Sequence, residues 1–534
     1  MTDVDSTPAH LRFAVATEFP LAEWQARCVD ALTGVTGVTV QRWIKVEPGP
    51  MSHAGTGRVA FARAVTPPGL TRLEPDAGQV VAGPAPSTDD HVDVLLDLTR
   101  TGVPAAGRWA AETWRFRYGS GLSTDPIRAA LVDFIRTPGQ THAVLATDPG
   151  RRVLREGWLS WTRGEQLDRI LLDTTDWPAT VALDRTSPSD GAEPGQAMPG
   201  SAGTTGRPPG ARSRAVAAVP RRALRAAATT RRVLRVADTV LRHDDWRIGV
   251  IEAPIREVVD AAGRLPIRWL AASNGRFAAD PFGLERDGVL HVFFEEYDHA
   301  LSRGIISHLA IAADGTASEP EAVLDAGVHA SYPFVVEDGG STFLLPETAA
   351  AGRLTLYEAV EFPRRWRPAA TLLDGVPAVD ATIVQHDGRW WLFATRLDRG
   401  ANHNLFVWHA PELLGPWTAH QANPVKTDAR SARPGGTPYA HDGRLFRPAQ
   451  DDSFAYGGRI VVNEVDVLTP RLFHERSIQV VAPEPGSPFP DGLHTLSAAA
   501  GRTLIDGNRR RFVRKQFIHD MWLLVESLRS GRGS

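Results

Sequence analysis

The chain has one cysteine, Cys28, so neither a disulfide framework nor a cysteine-rich metal site can be built from it. Lysine is almost missing. Lys45, Lys426 and Lys515 are the only three, and the other 56 of the 59 basic residues are arginine. No run of about 18 apolar residues occurs, so no membrane-spanning helix is read from the sequence. The opening Met1-Thr-Asp-Val-Asp has no basic stretch followed by an apolar one, so no secretory leader is read and a cytoplasmic location is expected. A net charge of −3 over 534 residues argues against a nucleic-acid footprint along the whole chain. Tyrosine is scarce beside tryptophan, 6 against 15, and the flat indole faces suit either sugar stacking or core filling. What is present is an ordinary globular balance, 43% hydrophobic and 23% charged, long enough for several domains.

The pattern changes along the chain. Residues 11–184 read as an α/β domain. Leu11–Ala16 is a short apolar run suited to a buried strand, and Trp24, Cys28, Ala31 and Leu32 share one face of a helix over Leu21–Leu32. Val38–Val46, His91–Leu98 and Arg152–Trp158 read as further strands, and Pro126–Ile135 as a helix. Strands alternating with helices predict a parallel, Rossmann-like sheet. No G-x-G-x-x-G follows the first strand, so a dinucleotide site is not supported and no cofactor is called for. Residues 185–212 are rich in Gly, Pro, Ser and Thr and read as a flexible linker. Residues 213–242 read as an Arg-rich helix. Nine arginines fall between Arg212 and Arg242 against one acid, Asp238, a balance suited to an anionic membrane surface or to a solvated helix face.

Residues 243–512 carry an internal repeat. Arg286-Asp-Gly-Val-Leu-His-Val-Phe-Phe-Glu, Glu337-Asp-Gly-Gly-Ser-Thr-Phe-Leu-Leu-Pro-Glu, His386-Asp-Gly-Arg-Trp-Trp-Leu-Phe-Ala-Thr and His441-Asp-Gly-Arg-Leu-Phe-Arg-Pro-Ala-Gln recur at intervals of roughly 50 residues. Asp-Gly between apolar runs signals a tight hairpin, and several short strands per repeat predict a β-propeller. A weaker fifth unit spans Leu493–Ser497 and Arg502–Asp506, and Trp246–Ile251 is placed to close the ring, which gives five blades. Residues 513–534 are left as a C-terminal helix or tail.

These repeats resemble a known family. Phe277-Ala-Ala-Asp-Pro-Phe, His329-Ala-Ser-Tyr-Pro-Phe-Val-Val-Glu-Asp-Gly-Gly, Leu345-Pro-Glu-Thr, Val379-Asp-Ala-Thr, Gly388-Arg-Trp-Trp-Leu-Phe-Ala-Thr, Leu414-Gly-Pro-Trp, Ser431-Ala-Arg-Pro-Gly-Gly and Arg447-Pro-Ala-Gln-Asp are similar to the domain named after the N-terminal region of plant glucosamine inositolphosphorylceramide transferases. That domain in turn resembles the five-bladed arabinanase and furanosidase fold. The first domain resembles, more weakly, a formyltransferase-like domain through Asp93–Leu98 and Val153-Leu-Arg-Glu-Gly. That family's Asn-x-His motif has no counterpart, because residues 108–119 hold neither Asn nor His.

Acids on the inner strands of a propeller converge on its central funnel. Asp280, Asp380 and Glu347 are therefore the candidate catalytic residues, since glycoside chemistry needs one protonated carboxyl and one carboxylate. The resemblance implies that Asp280 matches an Asp-Pro general base and that Asp380 lies near a general acid. It also implies that Tyr332 stands where a second-blade Asp is expected. His329, Tyr332, Arg433, Arg447, Gln450, Asp451, Trp391 and Glu464 are the candidate ligand-binding residues. The arginines suit a carboxylate, a sugar phosphate or an ion pair that holds the acids. His403, His409 and His420 show no metal-binding spacing, so no catalytic metal is expected. The expected role is carbohydrate-active, by glycoside hydrolysis or glycosyl transfer on a glycan or glycoconjugate. A non-catalytic carbohydrate reader and an envelope-pathway scaffold are the alternatives.

Overall fold

The computed structural model describes residues 10–17, 23–45, 92–99, 110–119, 140–148, 152–160, 171–186, 243–271, 276–298, 303–453 and 455–511. The chain divides into two compact units, Met1–Ala217 and Ala218–Ser534. The expected helix at 126–135, the Arg-rich stretch 213–242 and the tail 513–534 lie outside the described residues.

The first unit holds a six-stranded sheet in the order β2-β1-β3-β4-β5-β6. Its strands are β1 (Leu11–Thr17), β2 (Val38–Lys45), β3 (Val92–Asp97), β4 (Ala110–Tyr118), β5 (Gln140–Asp148) and β6 (Val153–Ser160). Helix α1 (Glu23–Thr33) carries the chain from β1 to its parallel neighbour β2. Side chains alternate across the sheet as a pleated strand requires. Phe13, Val15, Val94, Leu96, Trp114 and Phe116 share one cluster with Cys28 and Leu32 of α1 and with Trp177 and Val181 of α2 (Trp177–Thr186). Ala14, Ala16, Ile44 and Leu95 form a separate cluster. The expectation of a parallel, Rossmann-like sheet needs correcting. β1, β2, β3 and β4 are parallel, but β4 with β5 and β5 with β6 are antiparallel, so the sheet is mixed. The reason is local. Only residues 149–152 separate β5 from β6, and a connection that short can join only antiparallel strands. The described helices of this unit are few, and both pack into the same cluster.

The second unit is a five-bladed β-propeller. Its blades are β9 (Arg276–Arg286), β10 (Val289–Asp298), β11 (Arg303–Ile311) and β12 (Glu321–Leu324); β13 (Ser331–Asp338), β14 (Ser341–Glu347), β15 (Arg353–Glu361) and β16 (Arg365–Asp374); β17 (Ala378–His386), β18 (Arg389–Arg396), β19 (Asn404–Ala410) and β20 (Thr418–Ala419); and β22 (Tyr439–His441), β23 (Arg444–Gln450), β24 (Ile460–Leu468) and β25 (Phe473–Val481). A short strand β21 (Lys426–Thr427) adds to β19. The fifth blade is assembled from both ends of the unit. β26 (Leu496–Ala499) and β27 (Arg502–Arg511) pair onward to β7 (His243–Ile251) and β8 (Arg268–Trp269).

The repeat has one physical basis. The first two strands of each blade are joined by a two-residue turn: Asp287-Gly288, Gly339-Gly340, Asp387-Gly388, Asp442-Gly443 and Ala500-Gly501. Both turn residues have positive φ, 48° and 72° at Asp387-Gly388 for example, as the twist-matched hairpin turn demands. Ala500 adopts this conformation at φ 45° without the local side-chain hydrogen bonding open to Asp. A second irregularity repeats six residues before the turn-flanking residues Arg286, Asp338 and His386. There Asp280, Tyr332 and Asp380 sit at positive φ (53°, 45° and 52°), each within a bulge of β9, β13 and β17. A bulge re-aims the side chain it carries. Opposite the residue that precedes each bulge residue stand Glu295, Glu347 and Thr395, paired with Ala279, Ser331 and Val379.

Candidate functional site

The repeated bulges put two acids and a tyrosine at matching places on three neighbouring blades. Asp280 is buried and its carboxylate is fully engaged. Oδ2 accepts the backbone N–H of Tyr332 (3.2 Å) and Oδ1 accepts the Thr495 hydroxyl (3.0 Å). Its own N–H donates to Asp506 Oδ2 (3.2 Å). His494 Nδ1 lies 2.5 Å from Asp506 Oδ2 and 3.4 Å from Asp280 Oδ1, while Trp246 stacks on the imidazole at 3.8 Å. Asp506 Oδ1 also accepts the N–H groups of His494 and Thr495 (2.9 and 3.0 Å). Burial disfavours the His494 cation, but Asp506 and Asp280 outweigh it and hold the group up at about 9. Burial lifts Asp280 to about 6, against the pull of His494 and with a push from Asp380. Burial also works against the Asp506 carboxylate, yet His494 and the hydrogen bonds it accepts keep its pKa below the ordinary value.

The second half of the site is built around Asp380. Its Oδ2 accepts Arg433 Nε and Gln450 Nε2, both at 2.6 Å, and its N–H donates to Glu347 Oε2 (3.2 Å). Arg433 Nη1 donates to Asn402 Oδ1 (2.8 Å), and the guanidinium lies 5.1 Å from the ring centre of Tyr456. Tyr456 is 51% exposed and meets His494 edge-on at 5.7 Å, so it offers an aromatic face beside both halves of the site. Burial, reinforced by Asp380, raises Glu347 well above the ordinary carboxyl range. Asp452, whose Oδ1 accepts Gly457 N–H (2.8 Å), is lifted by burial to about 6 against the opposing Arg433.

The structure therefore brings together Asp280, Asp380, Glu347, Tyr332, Arg433 and Gln450. His329 stands at the edge, its side chain 41% exposed and its Nε2 3.6 Å from Glu295 Oε1. Tyr332 itself is a structural strut. Its hydroxyl accepts Gly436 N–H (2.6 Å) and meets Thr382 Oγ1 (3.2 Å). Tyr332→Phe is expected to lower stability by about 1–3 kcal/mol, since it strands a buried N–H; urea unfolding measures this, and an unchanged midpoint would count against the strut.

Four other expected ligand residues lie elsewhere. Arg447 is three residues from Gln450, so it points to the opposite face of β23. It forks onto Glu475 (2.9 and 2.6 Å) and donates to the carbonyls of Ser431 (2.7 Å) and Ala432 (3.2 Å). Asp451 is held by Arg459 (2.8 Å) and Ser453. Trp391 is buried with Phe393, Leu405 and Val407, and its indole N–H goes to the His386 carbonyl (3.2 Å). Glu464 pairs with the half-exposed Arg444 (3.2 Å) and Arg476 (2.5 Å).

Sequence reasoning missed His494, Asp506, Asp452, Tyr456 and Glu295. The repeat held a usable signal for Glu295: it lies six residues after Val289, as Glu347 does after Ser341. Asp506 was hidden by its own Asp-Gly, which is a strand interior and not a turn. Asp280, His494 and Asp506 each offer one atom within 4.8 Å of the others, the spacing of a cation site. Because His494 Nδ1 is already committed to Asp506, the trio is satisfied as an ion-pair network.

Comparison with known proteins falls on this unit. Residues 268–487 match the family model described as "Glucosamine inositolphosphorylceramide transferase 1, N-terminal". The curated protein "Glucosamine inositolphosphorylceramide transferase 1" of Arabidopsis thaliana is 36% identical over 205 residues, covering 37% of this chain and 27% of the relative. Its counterpart in Oryza sativa subsp. japonica is 35% identical over the same length and shares. The chain thus spans about a quarter of the length of these relatives. Among solved structures, an exo-β-1,3-galactanase from Phanerochaete chrysosporium is 12% identical (TM-score 0.30, 38% of this chain and 52% of that one). A family 117 glycoside hydrolase from Zobellia galactanivorans is 13% identical (TM-score 0.34, 50% and 90%).

Proposed function

We propose that the propeller funnel acts on a glycan or glycoconjugate by carboxyl acid–base chemistry. Asp280 serves as the base and Glu347 as the proton-bearing acid. Glu347 gives its proton to the glycosidic oxygen as the C–O bond to the anomeric carbon breaks. An incoming hydroxyl gives its proton to Asp280 and its oxygen to that carbon. If the hydroxyl is water the reaction is hydrolysis; if it belongs to another sugar or a lipid headgroup it is transfer, the activity in the curated relatives' name. The observation that carries this reading is a pair of carboxyls whose surroundings separate their protonation. Asp280 is ionised above about 6, while burial and Asp380 keep the proton on Glu347. Arg433 and Gln450 hold Asp380 between them, and Tyr456 supplies a face for a sugar ring.

The test uses the full chain and a panel of aryl pyranosides and furanosides between pH 4 and 8. Turnover is expected to fall as the pH drops below about 6, where Asp280 takes up its proton. Asp280→Asn is expected to lose at least about 100-fold. Equal turnover by Asp280→Asn would remove the proposed base. A second reading, binding without catalysis, is favoured by the full hydrogen-bonding of Asp280; panel sugars that raise the Tm but are never turned over would establish it.

A further inference from the structure

Glu295 is the counterpart of Glu347 on the first blade, and nothing in the chemistry above uses it. It extends from β10 opposite Ala279, beside Asp280, and it is buried. Among the described residues its carboxyl makes no hydrogen bond. His329 Nε2 stands 3.6 Å from its Oε1, beyond a formed bond. Space for the carboxyl exists only because residue 304 is glycine. A Cβ there would stand 2.4 Å from Glu295 Oε1.

The tautomer of His329 decides which way this carboxyl works. Gly304 N–H donates to His329 Nδ1 (2.9 Å), so a neutral ring carries its proton on Nε2, directed at Glu295 Oε1. Burial keeps the ring neutral, against a weaker pull from Asp380. Oε1 therefore faces a donor, and a proton on the carboxyl belongs on Oε2. Two carboxylates face Glu295, Asp280 on its own blade and Asp380 on the third, and His494 opposes them. With burial as the largest effect, they lift the group well above the ordinary range.

We propose that Glu295 is a neutral carboxyl at working pH whose O–H, unspent within the protein, is donated to an acceptor oxygen of a bound sugar. It is thus a second carboxyl donor in the funnel, with His329 as its positioning residue. The ligand in this inference rests on the proposed function; the protonation does not. A site built to donate to one sugar oxygen discriminates strongly against analogues lacking it, so Glu295 would set specificity and not the reaction itself.

The test begins without ligand. Thermal unfolding of the full chain is followed from pH 5 to 8.5 for wild type and Glu295→Gln, which imitates the protonated acid. A carboxyl with a raised folded pKa contributes stability that is lost as the pH rises through that pKa. Glu295→Gln is therefore expected to match wild type at pH 5 and to exceed its Tm by at least about 2 °C at pH 8.5. A Tm below wild type at pH 8.5 would overturn the proposal, because it would mean an ionised, well-partnered Glu295. Should Glu295→Gln not fold, Glu295→Met serves the same comparison, its apolar chain filling the same space. The second arm adds D-galactose, D-xylose, L-arabinose, D-glucosamine and myo-inositol in turn. A sugar that stabilises wild type and Glu295→Gln but not Glu295→Met supports donation to the ligand, since the amide still donates. Equal stabilisation of all three removes it. A panel that leaves wild type unshifted removes the sugar from this inference and from the proposed function alike, and the pH series still decides the protonation.

Discussion

Arg447→Ala is expected to cost the propeller about 3–5 kcal/mol, the loss that follows when one partner of a buried ion pair is removed. The side chains of Arg447 and Glu475 are both 1% exposed. Glu475 takes both arms of the guanidinium plus Lys426 Nζ (2.8 Å), and the same guanidinium caps the carbonyls of Ser431 (2.7 Å) and Ala432 (3.2 Å). Burial opposes the Glu475 carboxylate, but Arg447 and Lys426 together hold its pKa below the ordinary value. Without Arg447 the carboxylate keeps one partly exposed lysine, and two carbonyls lose their donors. The double variant Arg447→Met with Glu475→Leu is expected to recover much of the loss, because it removes the stranded charge as well. Urea unfolding of the three proteins tests this. A single variant within about 1 kcal/mol of wild type would mean that the pair contributes little.

Raising the pH from 7 to 10 is expected to remove about 3 kcal/mol of stability through His494 alone. Its folded pKa is raised from 6.5 to about 9, so its contribution is fully present below about 6.5 and lost as the pH climbs through 9. Asp280 does not blur this window. Its raised value of about 6 means its own contribution has gone before neutrality. With only three lysines, few other cationic side chains lose their charge between 7 and 10. His494→Asn is expected to be less stable at pH 7 and to lose less than wild type from there to pH 10, the raised carboxyls Glu295 and Glu347 supplying the slope the two proteins share. A wild-type curve that stays flat over the same range would mean that His494 is not a cation in the folded protein.

The blades were legible because their turns are written in two residues each. Four repeats announce themselves by Asp-Gly or its Gly-Gly neighbour, while the fifth turn, Ala500-Gly501, carries no such mark. Asp280 and Asp380 were singled out as inner-strand acids and through the phrases Phe277-Ala-Ala-Asp-Pro-Phe and Val379-Asp-Ala-Thr, and the structure sets both at matching positive-φ positions before their turns. Arg447 was misread because its type suits a ligand, whereas its face is set by the pleat and its partner Glu475 lies on another strand. His494 and Asp506 could not be read at all. They meet Asp280 across more than 200 residues of chain, and no local pattern records such a contact. In the first unit the helix Trp177–Thr186 was overlooked although Trp177-Pro178 carries a usual start signal, proline in the first turn.

The last blade's mixed origin has a consequence for the order of synthesis. β7 emerges first, yet its partner β27 pairs Thr503 with Ile251, so the strand must wait for about 250 residues to be made before its edge is covered. At roughly 5–20 residues per second that is an interval of about ten to fifty seconds on the ribosome. During it Trp246, Ile248 and Val250 belong to a strand with an open edge, the kind of surface that chaperones recognise and that pairs with other chains. A nascent chain halted before residue 502 would hold four blades and a gap, and the Asp280 N–H would lack its Asp506 acceptor altogether. The ring and its charge network would then be completed in one late event, when the fifth blade zips shut.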